Sequence, residues 1–274
     1  MKKRKQYGQK SKRNFPGKQG NAKSRRPDEK NQPDEKTEIR LNRYIASSGI
    51  CSRREADTYI KAGLVSVNGE IITQMGTKVS PNDVVRYNGE KIKTDRPVYM
   101  LLNKPKDYIT SLRDPHATKT VMDLVKNACK ERIYPVGRLD RNTTGVMLLT
   151  NDGDLTKVLT HPSHNKLKIY HVGLNKPLSG ADMKKIREGI TLEDGFIKAD
   201  SISYTDPHDK RLIGIELHSG RNRIVRRIFE SLDYSVKKLD RVYFAGLTKK
   251  GLTRGKWRFL TEKEIAMLKM GSFQ

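Results

Sequence analysis

Apolar residues divide the 274-residue chain into three zones. The first zone, residues 1–36, carries thirteen Lys or Arg and four acids against only four apolar or aromatic positions. A segment of this composition buries too little surface to offset the entropy lost on ordering it. The pattern therefore predicts a disordered basic tail over residues 1–38.

Helical spacing begins in the second zone. Leu41, Tyr44 and Ile45 have the i, i+3, i+4 spacing that places three side chains on one face of a helix. Ser52 and Glu55 form the Ser-x-x-Glu pattern of a capping box, which predicts that a second helix begins there. The predicted buried face of this second helix consists of Ala56, Tyr59 and Ile60, and Gly63 is expected to end it.

Short strands are predicted after these helices. The stretch LVSVNGEII indicates two strands joined at Asn68-Gly69, a dipeptide typical of type I′ hairpins. A second such pair, Asn88-Gly89, follows DVVRY. Together these elements predict a small α+β module over residues 39–92. The polar, proline-closed stretch 93–97 is typical of a linker.

The third zone, residues 98–274, is richer in apolar residues. Four stretches have the composition of strands: VYMLLN (98–103), GVMLLT (145–150), IYHVGL (169–174) and RLIGIELH (211–218). Two stretches between them have helical patterns: TVMDLVKNAC (120–129) and NRIVRRIFESL (222–232). We therefore expect an α+β protein, with the small module followed by a domain built on a mixed, largely antiparallel sheet.

The net charge of the chain indicates which kinds of partner it binds. The chain has 56 Lys and Arg against 31 Asp and Glu, a formal net charge of +25, which favours nucleic acid or an anionic membrane surface. No apolar run approaches the roughly 20 residues that span a bilayer, and no apolar region typical of a secretory signal follows the basic N-terminus. Cys51 and Cys129 lack the spacing of a disulfide framework or a zinc site. The expected location is a reducing cytoplasm.

One acid stands out against this basic background. Asp140 lies between Arg138 and Arg141 in GRLDRNTTG, the loop that leads into the apolar strand GVMLLT. Neighbouring cations favour the ionised form of a carboxylate, so Asp140 is either half of a structural ion pair or a reactive group presented to an anion. Asp152 and Asp154, in the NDGD that follows the strand, are expected to be turn and helix-cap residues rather than metal ligands.

Arginines form the second candidate feature, in LHSGRNRIVRRIFE. A strand ends at Ser219-Gly220, and a helix is predicted to begin among four closely spaced arginines. Its apolar residues, from Ile224 to Leu232, fall on one arc and leave the arginines on the other. Arg221, Arg223, Arg226 and Arg227 therefore form either a solvated basic face or a phosphate clamp, one member of which could pair with a buried acid.

The third candidate is Tyr170, in KLKIYHVGL. A tyrosine on a strand is usually a packing residue. A carboxylate, an arginine and an aromatic ring can, however, hold one flipped nucleotide together. The ring would stack on the base, the arginine would hold charge, and the carboxylate would react at the sugar or the base.

The second zone resembles a known RNA-binding motif. The stretch RLNRYIASSGICSRREADTYIKAGLVSVNG is similar to the αL motif first described in a small-subunit ribosomal protein, in which two helices and the following hairpin form the RNA face. The resemblance implies that this module is an RNA-binding domain. The implied RNA contacts are Arg40, Arg43, Ser52, Arg53, Arg54 and Lys61.

The third zone resembles the rRNA pseudouridine synthases RsuA, RluB, RluE and RluF. VGRLDRNTTGVMLLTNDGDLTKVLTHP is similar to the catalytic motif of that family, IYHV to its tyrosine motif and GRNRIVRRIF to its arginine motif. KLDRVYFAGL and GKWRFLTEKEI match its C-terminal part, so the resemblance covers about residues 39–271. The αL module and LTHPSH resemble the RluB type, which acts on large-subunit rRNA, while the RluF and RsuA types stay open.

This resemblance implies roles for individual residues. Asp140 would be the catalytic aspartate, Arg226 its ionic partner, and Tyr170 the ring that stacks on uracil and a candidate acceptor of the C5 proton. The other implied pocket residues are Arg138, Leu139, Arg141, Thr144, Arg221, Arg223, Arg227 and Leu239. The chain departs from many relatives at Ile224, where they have glutamine.

Isomerisation of uridine involves no redox change and no net hydrolysis, so no cofactor and no metal are expected. The chain contains no GxGxxG, GxxxxGK[ST] or HExxH motif. The expected partner is rRNA or an assembly intermediate of a ribosomal subunit, bound by a monomer. Two other classes are a ribosome assembly factor without enzymatic activity and an RNA methyltransferase. The latter would need a glycine-rich cofactor loop, which GRLDRNTTG does not provide.

Overall fold

The computed structural model describes residues 38–112 and 119–271, which belong to one compact unit beginning at Glu38. The tail predicted to be disordered, residues 1–38, lies outside the described part except for Glu38. The first described module contains, in chain order, β1 (Ile39–Arg40), α1 (Leu41–Ser47), α2 (Arg53–Lys61), β2 (Val65–Val67), β3 (Glu70–Ile71), β4 (Lys78–Val79), β5 (Val85–Tyr87) and β6 (Glu90–Lys91).

Both helices of this module form where the sequence predicts them. Leu41 and Ile45 of α1 and Ala56 and Ile60 of α2 are buried in one core cluster. Helix α2 begins with the predicted capping box, in which the Ser52 side chain accepts from an N–H of the first turn and the Glu55 carboxylate accepts from the Ser52 N–H. These bonds satisfy helix amides that would otherwise lack partners.

The two Asn-Gly pairs also behave as expected. Asn68 and Gly69 have φ values of 53° and 95°, and Asn88 and Gly89 have 48° and 81°, the positive angles that a type I′ turn requires. The first pair connects β2 to β3 and the second connects β5 to β6, in a sheet of order β3-β2-β5-β6. The following residues 93–97 contain no helix or strand.

The larger domain contains the remaining elements. In chain order they are β7 (Tyr99–Lys104), β8 (Tyr134–Pro135), β9 (Thr144–Thr150), α3 (Gly153–Thr160), β10 (Lys168–Leu174), α4 (Gly180–Glu188), β11 (Ile190–Leu192), β12 (Gly195–Ile197), β13 (Ser201–Tyr204), β14 (Leu212–Leu217), α5 (Ile224–Glu230), β15 (Val236–Phe244), β16 (Leu247–Thr248), β17 (Trp257–Phe259) and α6 (Glu262–Met270). Two 3₁₀ turns, Val121–Leu124 and Pro162–His164, lie between them.

Nine strands form the central sheet, with the order β13-β14-β10-β15-β9-β7-β17 and with β16 and β8 attached to β15 and β9. All neighbouring pairs are antiparallel except β9 and β15, which are parallel. The expectation of a mixed, largely antiparallel sheet in an α+β protein is therefore confirmed. Strands β7 and β9 are buried along their whole length because apolar clusters cover the sheet around them.

The helix predicted over residues 120–129 is wrong. Only the 3₁₀ turn Val121–Leu124 forms, and the residues after it are turns. Thr120 is held in an extended conformation by a bridge to Ile109, and both Val121 and Val125 are buried in the core. A ten-residue helix is marginal by itself, so tertiary packing decides the conformation of this segment.

Among the residues that the structure describes, no helix is long and apolar enough to span a membrane.

Candidate active site

A cavity of about 510 Å³ opens beside the central strands of the sheet. Its wall is built from four segments: the loop before β9, the rim before and along β10, the connection from β14 to α5, and strand β15. The charged side chains in the lining are Arg138, Asp140, Lys166, Lys168, Arg221, Arg223 and Arg241. Of the described residues that line the cavity, Asp140 is thus the single acid among six Lys and Arg.

Hydrogen bonds from Lys104 hold the loop that carries Asp140 in place. Lys104, at the end of β7, is fully buried, and its Nζ donates to the carbonyl oxygens of Asp140, Arg141 and Thr143 at 3.1, 3.2 and 2.8 Å. A fourth carbonyl, that of Pro105, lies at 3.1 Å. Burial lowers the pKa of Lys104 to about 8, because its charged form has left water. The ammonium group therefore fixes the backbone that presents the Asp140 carboxylate.

Arg226 faces Asp140 from helix α5. Its Nε lies 3.8 Å from Asp140 Oδ2, and its Nη1 donates to the Val236 carbonyl at 2.8 Å. The Arg226 residue is only 9% exposed, and its Nε has no hydrogen-bond partner among the described residues. Burial lowers the pKa of Arg226, while the Asp140 charge opposes that shift. Asp140 is thus paired with a nearly buried cation on one side and remains open to the cavity on the other.

Tyr170 lies on β10 at the cavity wall and is 8% exposed. Burial raises the pKa of Tyr170, and the nearby Arg241 guanidinium, within hydrogen-bonding reach, opposes this rise. The hydroxyl is therefore protonated at neutral pH. Leu239, from β15, completes this part of the lining. The structure brings Asp140, Tyr170 and Leu239 together around one cavity although about 100 residues separate the first from the last.

Comparisons with known proteins identify the family of the chain. The family model for RNA pseudouridylate synthase matches residues 98–231, and the S4 domain model matches residues 39–85. The ribosomal large subunit pseudouridine synthase B of Bacillus subtilis (strain 168) is 40% identical over 233 residues, which cover 84% of this chain and 95% of that protein. The chain belongs to the RNA pseudouridine synthase family.

Further relatives are consistent with this assignment. An uncharacterized RNA pseudouridine synthase of Aquifex aeolicus is 39% identical over 84% of this chain and 94% of its own length. The dual-specificity RNA pseudouridine synthase RluF of Escherichia coli K12 is 36% identical over 83% of this chain and 77% of its own length. A crystal structure of a pseudouridylate synthase is 28% identical, covers 84% of this chain and 99% of its own, and superposes with a TM-score of 0.61.

The four arginines near α5 do not form one clamp in this synthase, which corrects the expectation of a common basic arc. Arg226 points into the protein interior, on the side of the helix that is buried with Val225 and Phe229. Arg227 binds the Asp194 carboxylate in a bidentate manner at 2.8 and 2.7 Å, outside the cavity lining. Arg221 donates to the carbonyls of Gly195 and Phe196 at 3.1 Å and still lines the cavity.

Arg223 takes a fourth position, as the N-cap residue of α5. It adopts a left-handed conformation with φ 47°, lines the cavity, and approaches Glu230 at 3.4 Å. The contacts of Arg227 with Asp194 and of Arg221 with the Gly195 and Phe196 carbonyls attach the hairpin of β11 and β12 beside the site. Only Arg221 and Arg223 of the four remain available at the cavity wall to a bound nucleic acid.

Of the other residues implied for the pocket, some line the cavity and some do not. Arg138 is exposed and Leu139 is buried, and both line the cavity. Arg141 and Thr144 do not. The Arg141 carbonyl accepts from Lys104, and the buried Thr144 hydroxyl donates to the Leu239 carbonyl at 3.3 Å. Thr144 is therefore buried behind the wall, whereas Arg141 has an exposed side chain and contributes only its backbone carbonyl to the support of the Asp140 loop.

Sequence reasoning missed three cations of the site. Lys104 and Arg241 are buried, and Lys168 is largely covered. Lys168 Nζ donates to the carbonyls of Lys166 and His218 at 2.6 and 2.9 Å, which ties two sides of the cavity rim together. Burial lowers the pKa of Lys168 to about 8. A sequence rich in lysine and arginine gives no sign of which few are buried.

The implied RNA contacts of the αL module fall into two groups. Arg40, Arg43, Ser52 and Arg53 line a second cavity, of about 540 Å³, between this module and the larger domain. Arg54 and Lys61 are exposed on α2 outside that cavity. The capping box already engages the Glu55 amide, which donates to the Ser52 hydroxyl oxygen, so α2 does not offer this amide to a phosphate.

Proposed function

We propose that this protein isomerises a specific uridine of ribosomal RNA to pseudouridine, with Asp140 as the catalytic group. The observation that carries the proposal is the position of Asp140: a carboxylate on the wall of a cation-lined cavity that Tyr170 also lines, 3.8 Å from Arg226. The cations suit a polyanionic substrate, and the carboxylate suits a reaction at the sugar of one nucleotide.

The reaction breaks the bond from N1 of uracil to C1′ of ribose and forms a bond from C5 to C1′. The C5 proton leaves and N1 gains a proton, so atoms and charge balance without a co-reactant. Asp140 either attacks C1′ and is displaced when C5 bonds there, or removes the C2′ proton to give a glycal and returns it later. Both routes require an ionised carboxylate.

Arg226 and Tyr170 have separate proposed roles. The Arg226 guanidinium, 3.8 Å from the Asp140 carboxylate, fixes the position of that carboxylate at the cavity wall. The Tyr170 ring stacks on the flipped uracil, as aromatic residues do in sites that extrude a base. Because its hydroxyl is protonated at neutral pH, contact with the base is the role that the geometry supports, and acceptance of the C5 proton stays a prediction.

Large-subunit rRNA is the substrate that we propose. The relative from Bacillus subtilis is named for the large ribosomal subunit and matches over most of both chains. Small-subunit rRNA is the second candidate to be tested, because the sequence motifs also resemble the RsuA type. We expect the protein to work in the cytoplasm as a monomer.

Tritium release provides the test. Transcribed large- and small-subunit rRNA, each labelled at uridine C5, would be incubated separately with wild type, Asp140→Asn, and Asp233→Asn. Asp233 is an exposed residue with φ 61°, a conformation that asparagine also adopts, which makes it a matched control. We expect release by wild type and Asp233→Asn from large-subunit rRNA, and none by Asp140→Asn.

Each other result has a definite meaning. Release by Asp140→Asn at the wild-type rate would remove Asp140 from the proposed role. Release only from small-subunit rRNA would overturn the choice of substrate but not the reaction. Binding of RNA without release by any of the three proteins would favour an RNA-binding assembly factor instead of an enzyme.

Tyr170→Phe separates stacking from hydroxyl chemistry. The variant keeps the ring and loses only the oxygen. We expect its rRNA affinity to stay close to that of wild type, since the ring supplies the stacking contact. If tritium release also continues at the wild-type rate, the hydroxyl is not the acceptor of the C5 proton.

A further inference from the structure

The second cavity, which we call the junction groove, lies between the αL module and the larger domain. It is lined by residues of both, and its volume of about 540 Å³ is close to that of the candidate active site. The αL side provides Arg40, Arg43 and Arg53, and the larger domain provides Arg132 and Lys157. Five cations from two domains therefore face one groove that also contains two acids, Glu38 and Asp154.

Several of these charges have partners. Arg43 forms an ion pair with Asp154, which is 72% exposed, and Glu38 approaches Lys78 at 3.5 Å. Arg132 Nη1 is 3.4 Å from the Cys51 carbonyl, and Arg53 Nη2 is 3.5 Å from the Asn42 side-chain oxygen, so both bonds are long and weak.

Two cations of the groove are available. Neither Arg40 nor Lys157 has a side-chain hydrogen bond or ion pair with any other described residue, and both are exposed. They come from different domains: Arg40 ends β1, and Lys157 lies on α3. An anion with several charges along its length could therefore contact both sides of the groove at once.

The aromatic content argues for contact with a nucleic-acid backbone rather than with bases. Tyr134 is the one aromatic residue among the described residues of the lining, and its hydroxyl donates to the Asn151 carbonyl at 3.3 Å. Stacking platforms for single-stranded bases use several aromatic side chains along a groove. Cations without aromatic partners instead bind phosphates and do so independently of sequence.

We propose that the junction groove binds the sugar-phosphate backbone of the substrate RNA outside the target nucleotide, with Lys157 and Arg132 of the larger domain as phosphate contacts that act together with Arg40. This inference rests on the proposed function, since it takes RNA as the substrate. In the bound state a phosphate takes the place of the Asp154 carboxylate beside Arg43, so Asp154 opposes RNA binding.

Two variants with opposite expected effects on RNA affinity test the groove. Binding of a short fluorescein-labelled oligouridylate to the full chain would be followed by anisotropy over a series of KCl concentrations. Lys157→Ala should weaken binding about fivefold, as the loss of one solvent-exposed ion pair does, and should reduce the slope of log affinity against log salt by about one. Asp154→Asn should instead strengthen binding by a similar factor.

Lys263→Ala is the matched control, because Lys263 is an exposed lysine of α6 without a side-chain partner among the described residues and outside the groove. It should leave both affinity and salt slope close to wild type. If Lys157→Ala and Asp154→Asn bind the oligouridylate as Lys263→Ala does, the groove is not an RNA site. The same conclusion follows if wild type itself fails to bind.

The tritium assay separates this proposal from the proposed function. At saturating rRNA, Lys157→Ala should release tritium at the wild-type rate but need about fivefold more RNA for half-maximal rate, because the groove contributes to binding only. Opposite effects of the two variants on oligouridylate binding, together with an inactive wild type, would sustain the groove and reject the enzyme. Tritium release by wild type, together with unchanged oligouridylate binding by both variants, would sustain the enzyme and reject the groove.

Discussion

Tyr170 and Arg241 are direct neighbours across strands β10 and β15, and the guanidinium of Arg241 lies within hydrogen-bonding reach of the Tyr170 hydroxyl. Arg241 is 3% exposed, its Nε donates to the Val146 carbonyl at 2.9 Å, and its Cζ lies 4.5 Å from the centroid of the Phe244 ring. Two neighbouring groups, the Val146 carbonyl and the Phe244 ring, thus hold the arginine. Through it they fix the orientation of the ring that is proposed to stack on uracil.

Replacement of Arg241 should therefore impair turnover more than RNA binding. We expect Arg241→Met to lower kcat roughly 10²-fold, the effect of a misplaced catalytic group, with little change in KM for rRNA. Arg241→Lys should recover part of the loss because it retains the cation. Arg211→Met, at an exposed arginine paired with Asp209, is the control and should leave kcat unchanged. A wild-type kcat for Arg241→Met would show that Arg241 does not position Tyr170.

Lys104 should make the activity sensitive to alkaline pH. Its pKa of about 8 means that the ammonium loses a proton above that pH, so one of the N–H groups that bind the Asp140 loop is lost. We expect kcat to fall as the pH rises through about 8. Lys104→Met should lose roughly 10²-fold in kcat and show a weaker transition, because no titrating group then holds the Asp140 loop and only Lys168 of the rim still titrates near pH 8.

This expectation is checked by a pH series of tritium release under saturating rRNA, with thermal unfolding measured in parallel. Lys104→Met should also be less stable, since its carbonyl partners become buried and unpaired. A folded Lys104→Met protein that keeps the wild-type kcat and the transition near pH 8 would contradict the assignment.

Gly145 should resist substitution, because it pairs directly with Arg241 of β15 and leaves no room for a side chain. A Cβ built on Gly145 would lie 2.1 Å from the Arg241 carbonyl oxygen and 2.7 Å from the Arg241 nitrogen. Gly145 also has φ +110°, where other residues are strained. Gly145→Ala should lower the free energy of unfolding by about 3 kcal/mol or more, the sum of backbone strain and overpacking.

The control is Gly251→Ala, whose Cβ would meet nothing within 4 Å although its φ is +71°. It carries the backbone strain alone, so we expect a loss of about 1 kcal/mol. The free energies of unfolding of Gly145→Ala, Gly251→Ala and wild type are compared by urea unfolding. Equal losses would mean that the backbone at Gly145 moves away and that close packing of β9 on β15 is not required.

Acid stability should depend on Glu264. Arg258 donates two hydrogen bonds to its carboxylate at 2.8 and 2.7 Å, and mainly for this reason the pKa of Glu264 is lowered to about 2. Because the folded-state pKa lies below the unfolded value, the stabilisation is complete above about pH 4.5 and is lost as the pH falls toward 2. Partial exposure of the pair reduces the contribution to roughly 1–2 kcal/mol.

Urea midpoints measured between about pH 6 and pH 3 check this expectation. Glu264→Gln should be less stable than wild type at the upper end of that range, and the difference should shrink as the pH falls. Glu262→Gln, at an exposed residue in the same first turn of α6, should show a smaller difference throughout. A difference for Glu264→Gln that stays constant with pH would exclude the proposed ionic origin.

Local signals in the sequence were sufficient for many elements. The capping box at Ser52, the two Asn-Gly turns and the apolar strand before Asn151 depend on contacts within a few residues, so the sequence predicts them directly. The segment 120–129 shows where such signals fail. Its apolar spacing suits a helix, but the bridge between Ile109 and Thr120 sets the start of the segment in an extended conformation.

The sequence by itself determined that Asp140, Tyr170 and Arg226 are the candidate catalytic residues, because each lies in a stretch that resembles a motif of the family. The tertiary structure alone decided which of the 56 Lys and Arg support them. Lys104 and Arg241 act on Asp140 and Tyr170 from buried positions, while Arg227 binds Asp194 away from the cavity. A cation is stable in the interior only where carbonyls, hydroxyls or carboxylates from distant segments converge, and that convergence exists only in the folded chain.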